Sequence, residues 1–261
     1  MVLILNFNIK ELQNFYNQSG LGLFCKKNIN ELIQDNKKFL IRKSHEREII
    51  IGYGFPIPFI KKIVKKNSEY LCLMPKNQGA LFWPTNKNKT LLVEQTIWPL
   101  ESEISDIVMI SHGLENCENP HKLLEEAWRI LLPEGHLLII VPNRTGFWAR
   151  SDLTPFGFGR PFSISQLSKI LIDHKFSIIN ANACLLMPPT KRKFFLKSYH
   201  YLDKFFSRYT SKVLGGVLVI LAKKQIHQVN TLKISDSIKV PLDILDGLIK
   251  PRPKPLPKDR Y

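Results

Sequence analysis

Apolar residues fall in short runs along most of the chain, and these runs predict buried strands. They lie at 49–51, 70–74, 91–93, 106–111, 136–141, 176–186 and 216–222. Between several of them the spacing changes to a helical one. Leu12, Phe15 and Tyr16 share a face of a helix over 9–16, and Leu21, Phe24, Ile29, Leu32 and Ile33 share one over 21–34, with Ser19-Gly20 between the two. Asn119 caps a further helix with Pro120 at its first position; this helix carries Leu123, Leu124, Ala127, Trp128, Ile130 and Leu131. Ser163 and Gln166 form a capping box ahead of a helix over 164–174. Strands that alternate with helices imply a mostly parallel sheet with right-handed crossovers. The expected fold is therefore α/β and Rossmann-like, with seven strands and helices on both faces.

The run at 49–51 leads into Gly52-Tyr53-Gly54, then Phe55-Pro56-Ile57-Pro58, then a helix-like run from Phe59. Strand, glycine turn and helix place backbone N–H groups at the carboxyl end of a parallel sheet, where α/β folds take nucleotide-like cofactors. A plain tight turn has the same pattern. A second departure from regular periodicity is the segment 143–163, rich in glycine, proline and aromatic residues. It is too long for a simple connection and too aromatic for disorder. Its Arg144, Arg150 and Arg160, with Asp152, suit a clamp for a carboxylate or phosphate, or pair among themselves to order the loop. Trp148, Phe156 and Phe158 suit a lid or a mini-core of the loop.

Charge changes the picture in one region. The net charge is +16, but residues 189–261 hold 16 Lys/Arg against 5 Asp/Glu, so the rest of the chain is only mildly basic. The segment 191–212 interleaves Lys and Arg with aromatics and reads as a basic helix. Nucleic acid or a membrane surface would fit it; aromatics turned inward with solvated lysines is the preferred reading. The tail 224–261 is basic and proline-rich. The chain thus divides into N-terminal helices over 1–45 that cover a crevice, an α/β domain over 46–223, and the tail.

Cys25, Cys72, Cys117 and Cys184 are widely scattered with no C-x-x-C, which argues against a zinc or redox site and for reduced thiols in the cytoplasm. No metal site is expected. The N-terminus lacks a signal-peptide pattern, and no apolar run is long enough to span a bilayer.

Residues 94–143 carry a resemblance. Trp98-Pro99-Leu100, the strand opening Ser105-Asp106-Ile107-Val108, and LEEAWRILLPEGHLLIIVPN resemble the class I S-adenosylmethionine-dependent methyltransferases of the type 11 branch. GYGFPIPF and the 143–163 loop look like a bacterial subgroup with its own signature. The resemblance implies S-adenosylmethionine as cofactor, held by Gly52, Tyr53, Gly54, Glu94, Gln95, His112 and Gly113, and a methyl acceptor as partner. Tyr16 on the first helix, Asn143 and Arg144 at the end of the fifth strand, and Arg150, Asp152 and Arg160 in the loop are then the candidate acceptor-binding residues. His112, at the end of the fourth strand, becomes the base candidate beside the reading of a structural histidine. Three family features are missing. Ile50 replaces an acid ahead of the first glycine, Pro56 replaces the third glycine, and the second strand ends at Met74-Pro75 without an acid for the ribose. Glu46, Glu48, Gln78 or the face of the first helix are candidate replacements; without one, cofactor affinity is reduced or lost. A methyltransferase fold that has lost catalysis and serves in binding, with nucleic acid as a conceivable ligand, is the alternative.

Overall fold

The computed structural model describes residues 8–40, 47–190 and 215–226. The basic segment 191–212 and most of the tail lie outside the described residues, as does Glu46. Seven strands form one sheet in the order β3-β2-β1-β4-β5-β7-β6. They are β1 (Glu48–Gly54), β2 (Ser68–Pro75), β3 (Thr90–Val93), β4 (Ser105–Ser111), β5 (Leu131–Pro142), β6 (Phe176–Cys184) and β7 (Val217–Lys224). β1 pairs with β2 and β4 in parallel, and β4 with β5 likewise; β7 runs antiparallel to both β5 and β6. The expected α/β sheet is present, with its one antiparallel strand inserted between β5 and β6.

Strand alternation divides the core. On one face Ile50, Met74, Met109, Leu138 and Val219 pack under α1 (Ile9–Gln18), α2 (Gly20–Asn36) and α3 (Ile57–Ile60). On the other, Ile51, Leu73, Val108, Ile139 and Ile220 pack under α4 (Pro120–Ile130) and α5 (Ile164–Asp173). Period-two burial of neighbouring residues on opposite faces is the geometry of a covered sheet. The predicted caps are formed: Asn119 accepts from the Lys122 N–H, and Ser163 accepts from the Gln166 N–H.

Two expectations differ. β5 begins at Leu131, so Pro133 to Gly135 lies inside the strand rather than ahead of it, with Glu134 at φ 63°. The helix after the glycine turn is only the four residues of α3. Pro56 and Pro58 have no N–H to contribute, and chain extension ends in turns before β2.

Candidate functional site

The glycine turn is packed shut against β4. Gly54 sits at φ 84°, and a Cβ there would lie 2.3 Å from the Ser111 carbonyl oxygen and 2.8 Å from the Gly113 nitrogen. Only glycine permits both the left-handed backbone and this approach. The Phe55 N–H donates to the Ser111 carbonyl at 2.6 Å, so the turn's donor is taken up by the sheet. The Pro56 ring fills the space above Gly52, 2.5 Å from where a Cβ would stand. With two prolines, an occupied N–H and one turn of helix, the segment does not present the open cradle of donors expected from the sequence. Its role here is to bring the ends of β1 and β4 into contact.

Tyr53 points to the α4 face. Its ring stacks on Trp98 at 4.9 Å between centroids and closes on Gly113, and its hydroxyl donates to the Gln95 carbonyl at 3.2 Å. Burial pushes its phenol far above the usual tyrosine range. The Gln95 side chain accepts from the Glu118 N–H, which ties the end of β3 to the segment after β4. Glu94 remains accessible and is ion-paired with Lys76. Glu48 lies at the opposite end of β1, bound to Lys65 and Ser68, and is no substitute for the missing ribose acid. Gln78 is 3% exposed, and its amide donates to the His112 carbonyl at 2.6 Å, which places it at the end of β4.

His112 is the centre of the arrangement. It follows β4 at φ 53° and is 1% exposed. The Tyr16 hydroxyl lies 2.7 Å from Nε2, and Glu115 Oε1 lies 3.3 Å from Nδ1. The second contact has the distance of an ion pair without the alignment of a hydrogen bond, and neither Glu115 oxygen has a hydrogen-bond partner among the described residues. The Phe156 ring packs on the imidazole at 5.0 Å, and Tyr16 itself packs on Phe55 and Phe59. Burial, reinforced by nearby Cys25, Glu115 and Cys184, holds the Tyr16 phenol well above its ordinary value. Tyr16 is therefore a neutral O–H, able to donate to a neutral imidazole. The sequence points to His112 and Tyr16 but not to Glu115. The available signal is a lone carboxylate in the otherwise uncharged Leu114–Cys117 segment that follows a fully buried strand.

Loop 143–163 is docked. Trp148 is buried and its indole N–H donates to the Met187 carbonyl at 2.7 Å; Phe156 packs edge-on against it. Asn143 is 1% exposed, with its amide donating to the Gly215 carbonyl. Gly159 and Arg160 press on the Glu115 backbone, whose carbonyl accepts the Arg160 N–H at 2.8 Å. Arg144 and Arg160 meet across a cleft of about 450 Å³, with Glu118, His121, Phe162 and Gln166 in its walls. Arg150 and Asp152 do not line that cleft, and among the described residues Asp152 has no ion pair with any of the three arginines.

The four cysteines are buried, and no group of three or more metal-ligating side chains occurs among the described residues. Nor does any helix of the described residues have the length and apolarity to cross a membrane.

Comparison with known proteins supplies the context for this geometry. Residues 79–139 match the model of a methyltransferase domain. An uncharacterized protein of Methanocaldococcus jannaschii is 31% identical over 108 residues, which is 41% of this chain and 49% of the relative. The mitochondrial 2-methoxy-6-polyprenyl-1,4-benzoquinol methylase of Caenorhabditis elegans is 43% identical over 42 residues, 16% of this chain and 15% of that protein. This chain thus spans half or less of the length of the curated relatives it matches. Among solved structures, a SAM-dependent methyltransferase from Aquifex aeolicus superposes with a TM-score of 0.53 at 15% identity, covering 84% of this chain and 100% of that one. At that identity the likeness is one of fold.

Proposed function

We propose that this chain, which has the fold and the domain signature of the class I methyltransferases, is a methyltransferase that uses S-adenosylmethionine. His112, supported by Glu115, serves in this reading as the base for a protonated acceptor. The observation that carries the proposal is the 2.7 Å contact between His112 Nε2 and the Tyr16 hydroxyl at the carboxyl end of β4. That end is where the fold brings cofactor and substrate together, and the phenol occupies the position an acceptor O–H or N–H would take.

The residues suit the cofactor in chemistry and exclude it in the closed packing. Accessible Glu94 at the end of β3 suits an adenine amino group, and buried acceptor atoms on Gln78, Glu115 and Asn116 suit the amino-acid end. Tyr16 and Pro56 close the crevice, so binding requires withdrawal of the N-terminal helix that carries Tyr16. The covering role expected of residues 1–45 has this contact as its support. When bound, the cofactor supplies a methyl group on sulfonium sulfur. His112 then accepts the acceptor's proton on Nε2, with Glu115 stabilising the resulting imidazolium across 3.3 Å. Burial of both groups removes competing water and strengthens that pairing. Gly52, Gly54 and Gly113 act by allowing the strand ends to approach, and Tyr53 and Gln95 by fixing the floor beside Glu94. Arg144 and Arg160 bind an anionic part of the acceptor in their cleft, while Asn143 anchors the loop. Arg150 and Asp152 take part only if the loop rearranges. Widely scattered, buried cysteines suit a reducing compartment such as the cytoplasm.

A second reading is favoured by the closed turn itself. With Ile50, Pro56 and Met74 where the resembling family has polar or open positions, the fold serves as a binding module without turnover. Calorimetric titration with S-adenosylhomocysteine separates the two: saturable binding supports the first, and no heat at millimolar ligand removes it.

A further inference from the structure

Between positions 61 and 89 the chain holds seven lysines and one acidic residue, Glu69. Glu69 is paired with Arg47, Lys65 with Glu48, and Lys76 with Glu94. Lys61, Lys62, Lys66, Lys87 and Lys89 have no carboxylate partner among the described residues. Folding gathers part of this charge around aromatic rings. Lys61 Nζ stands 5.3 Å from the centre of the Trp83 ring, the Trp83 and Tyr70 rings are 5.7 Å apart, and Lys89 Nζ stands 4.5 Å from Tyr70. The neighbouring Phe82 is 66% exposed. The segment after it is held in shape by its own hydrogen bonds. The Lys89 N–H donates to the Trp83 carbonyl at 2.8 Å, and Asn88 Oδ1 accepts from the Trp83 and Thr90 N–H groups at 3.3 and 3.1 Å. Tyr70 is the third residue of β2 and Lys89 directly precedes β3, so this surface lies at the amino ends of the parallel strands. His112 lies at their carboxyl ends.

We propose that this surface docks on an anionic phospholipid membrane, with Phe82 entering the headgroup boundary and the lysines meeting lipid phosphates. Five unpaired cations around an uncovered phenyl ring match a surface that is negatively charged outside and apolar beneath. Lipid is favoured over nucleic acid by the rings. Lysines already occupy a face of Trp83 and of Tyr70, the faces on which bases would stack. The segment also holds no arginine to read base edges, and the Asn88 side chain is engaged with its own backbone. Each lysine near an anionic leaflet strengthens binding about fivefold, and insertion of one phenyl ring does so roughly tenfold.

The test is co-sedimentation of the full chain with vesicles of phosphatidylcholine containing about one quarter phosphatidylserine. Wild type is compared with Phe82→Ala and with Lys61→Glu/Lys87→Glu. The control is Lys122→Glu/Lys169→Glu, which makes the same change of net charge at exposed positions of α4 and α5. Phe82→Ala is expected to bind roughly tenfold more weakly. The Lys61/Lys87 pair is expected to lose about 25-fold or more, and the control pair no more than about threefold. Wild type that ignores the vesicles, equal losses for the two lysine pairs, or Phe82→Ala that binds like wild type would each overturn the proposal. Phe82 lies outside the core, so its variant decides the matter even if a charge reversal disturbs folding. A thymidine oligonucleotide is titrated in parallel. If Phe82→Ala and the Lys61/Lys87 pair lose affinity for it and keep affinity for the vesicles, the surface takes single-stranded nucleic acid and the lipid proposal fails.

Discussion

Tyr16→Phe removes one oxygen atom and isolates the contact on which the site depends. The wild-type hydroxyl is 2.7 Å from His112 Nε2, both residues are at most 1% exposed, and the Tyr16 ring is held independently by Phe55 and Phe59. Phenylalanine keeps that packing, so the loss is the hydrogen bond and the unpaired imidazole nitrogen it leaves behind. Leaving a buried polar atom without a partner costs about 1–3 kcal/mol. For a unit of this size each kcal/mol lowers the melting temperature by roughly 2–4 °C, so the variant should melt about 2–12 °C below wild type. Differential scanning calorimetry at neutral pH reads this directly. The same change should help ligand entry. Wild type must break the Tyr16–His112 bond to open the crevice and the variant need not, so S-adenosylhomocysteine should bind more tightly, by up to the same free energy. A melting temperature within about 1 °C of wild type would show that the buried contact is not worth a hydrogen bond. Weaker ligand binding with intact folding would show that Tyr16 holds the ligand rather than its place.

Further outcomes follow from other parts of the structure. Burial raises the thiol of Cys72 to about 12 and that of Cys117 to about 11, and raises both Tyr16 and Tyr53, so the folded state keeps protons that the unfolded chain releases. Stability should be level below pH 9 and fall above it, by about 1.4 kcal/mol per pH unit for Cys72 alone; urea melts at pH 7, 9 and 10 that superimpose would contradict this. Gly54→Ala forces a left-handed alanine against the Ser111 carbonyl and should cost roughly 2–5 kcal/mol in chemical denaturation. Retention of wild-type stability would mean the strand ends are not in contact. Lys224 is 1% exposed, with Nζ 2.6 Å from the Leu131 carbonyl, 3.2 Å from Glu103 and 4.0 Å from the Trp128 ring centre. Lys224→Met should cost about 1 kcal/mol. Lys224→Glu, which buries a carboxylate beside a carbonyl and Glu103, should cost several times more. Equal midpoints for the two would refute the local geometry.

The sheet was legible because most of its strands carry a short apolar run closed by turn residues, and the caps at Asn119 and Ser163 because their chemistry is local. The extent of the helix after Gly54 was not, since an apolar run reads as helix whether or not its prolines allow donors to continue it. The distinction lies in Pro56 and Pro58, which have no N–H to offer, and in the Pro56 ring, which packs over Gly52 instead of leaving a cradle open. Within the site, His112 and Tyr16 were visible as residues but not as partners, because they are 96 positions apart and meet only when α1 lies over the end of β4. Glu115 was hidden for a related reason: a carboxylate in a loop is normally solvated, and only the docking of Gly159 and Arg160 on its backbone buries it. The arginines of the 143–163 loop formed one set in the sequence, and folding divided them.

The most direct test is a crystal structure of the full chain with S-adenosylhomocysteine. The expected result is adenine beside Glu94, the amino-acid end at the Gln78–His112–Glu115 cluster, and the Tyr16 hydroxyl displaced from His112. A ligand bound elsewhere, or a chain that takes up none and keeps Tyr16 on His112, would contradict the proposed site.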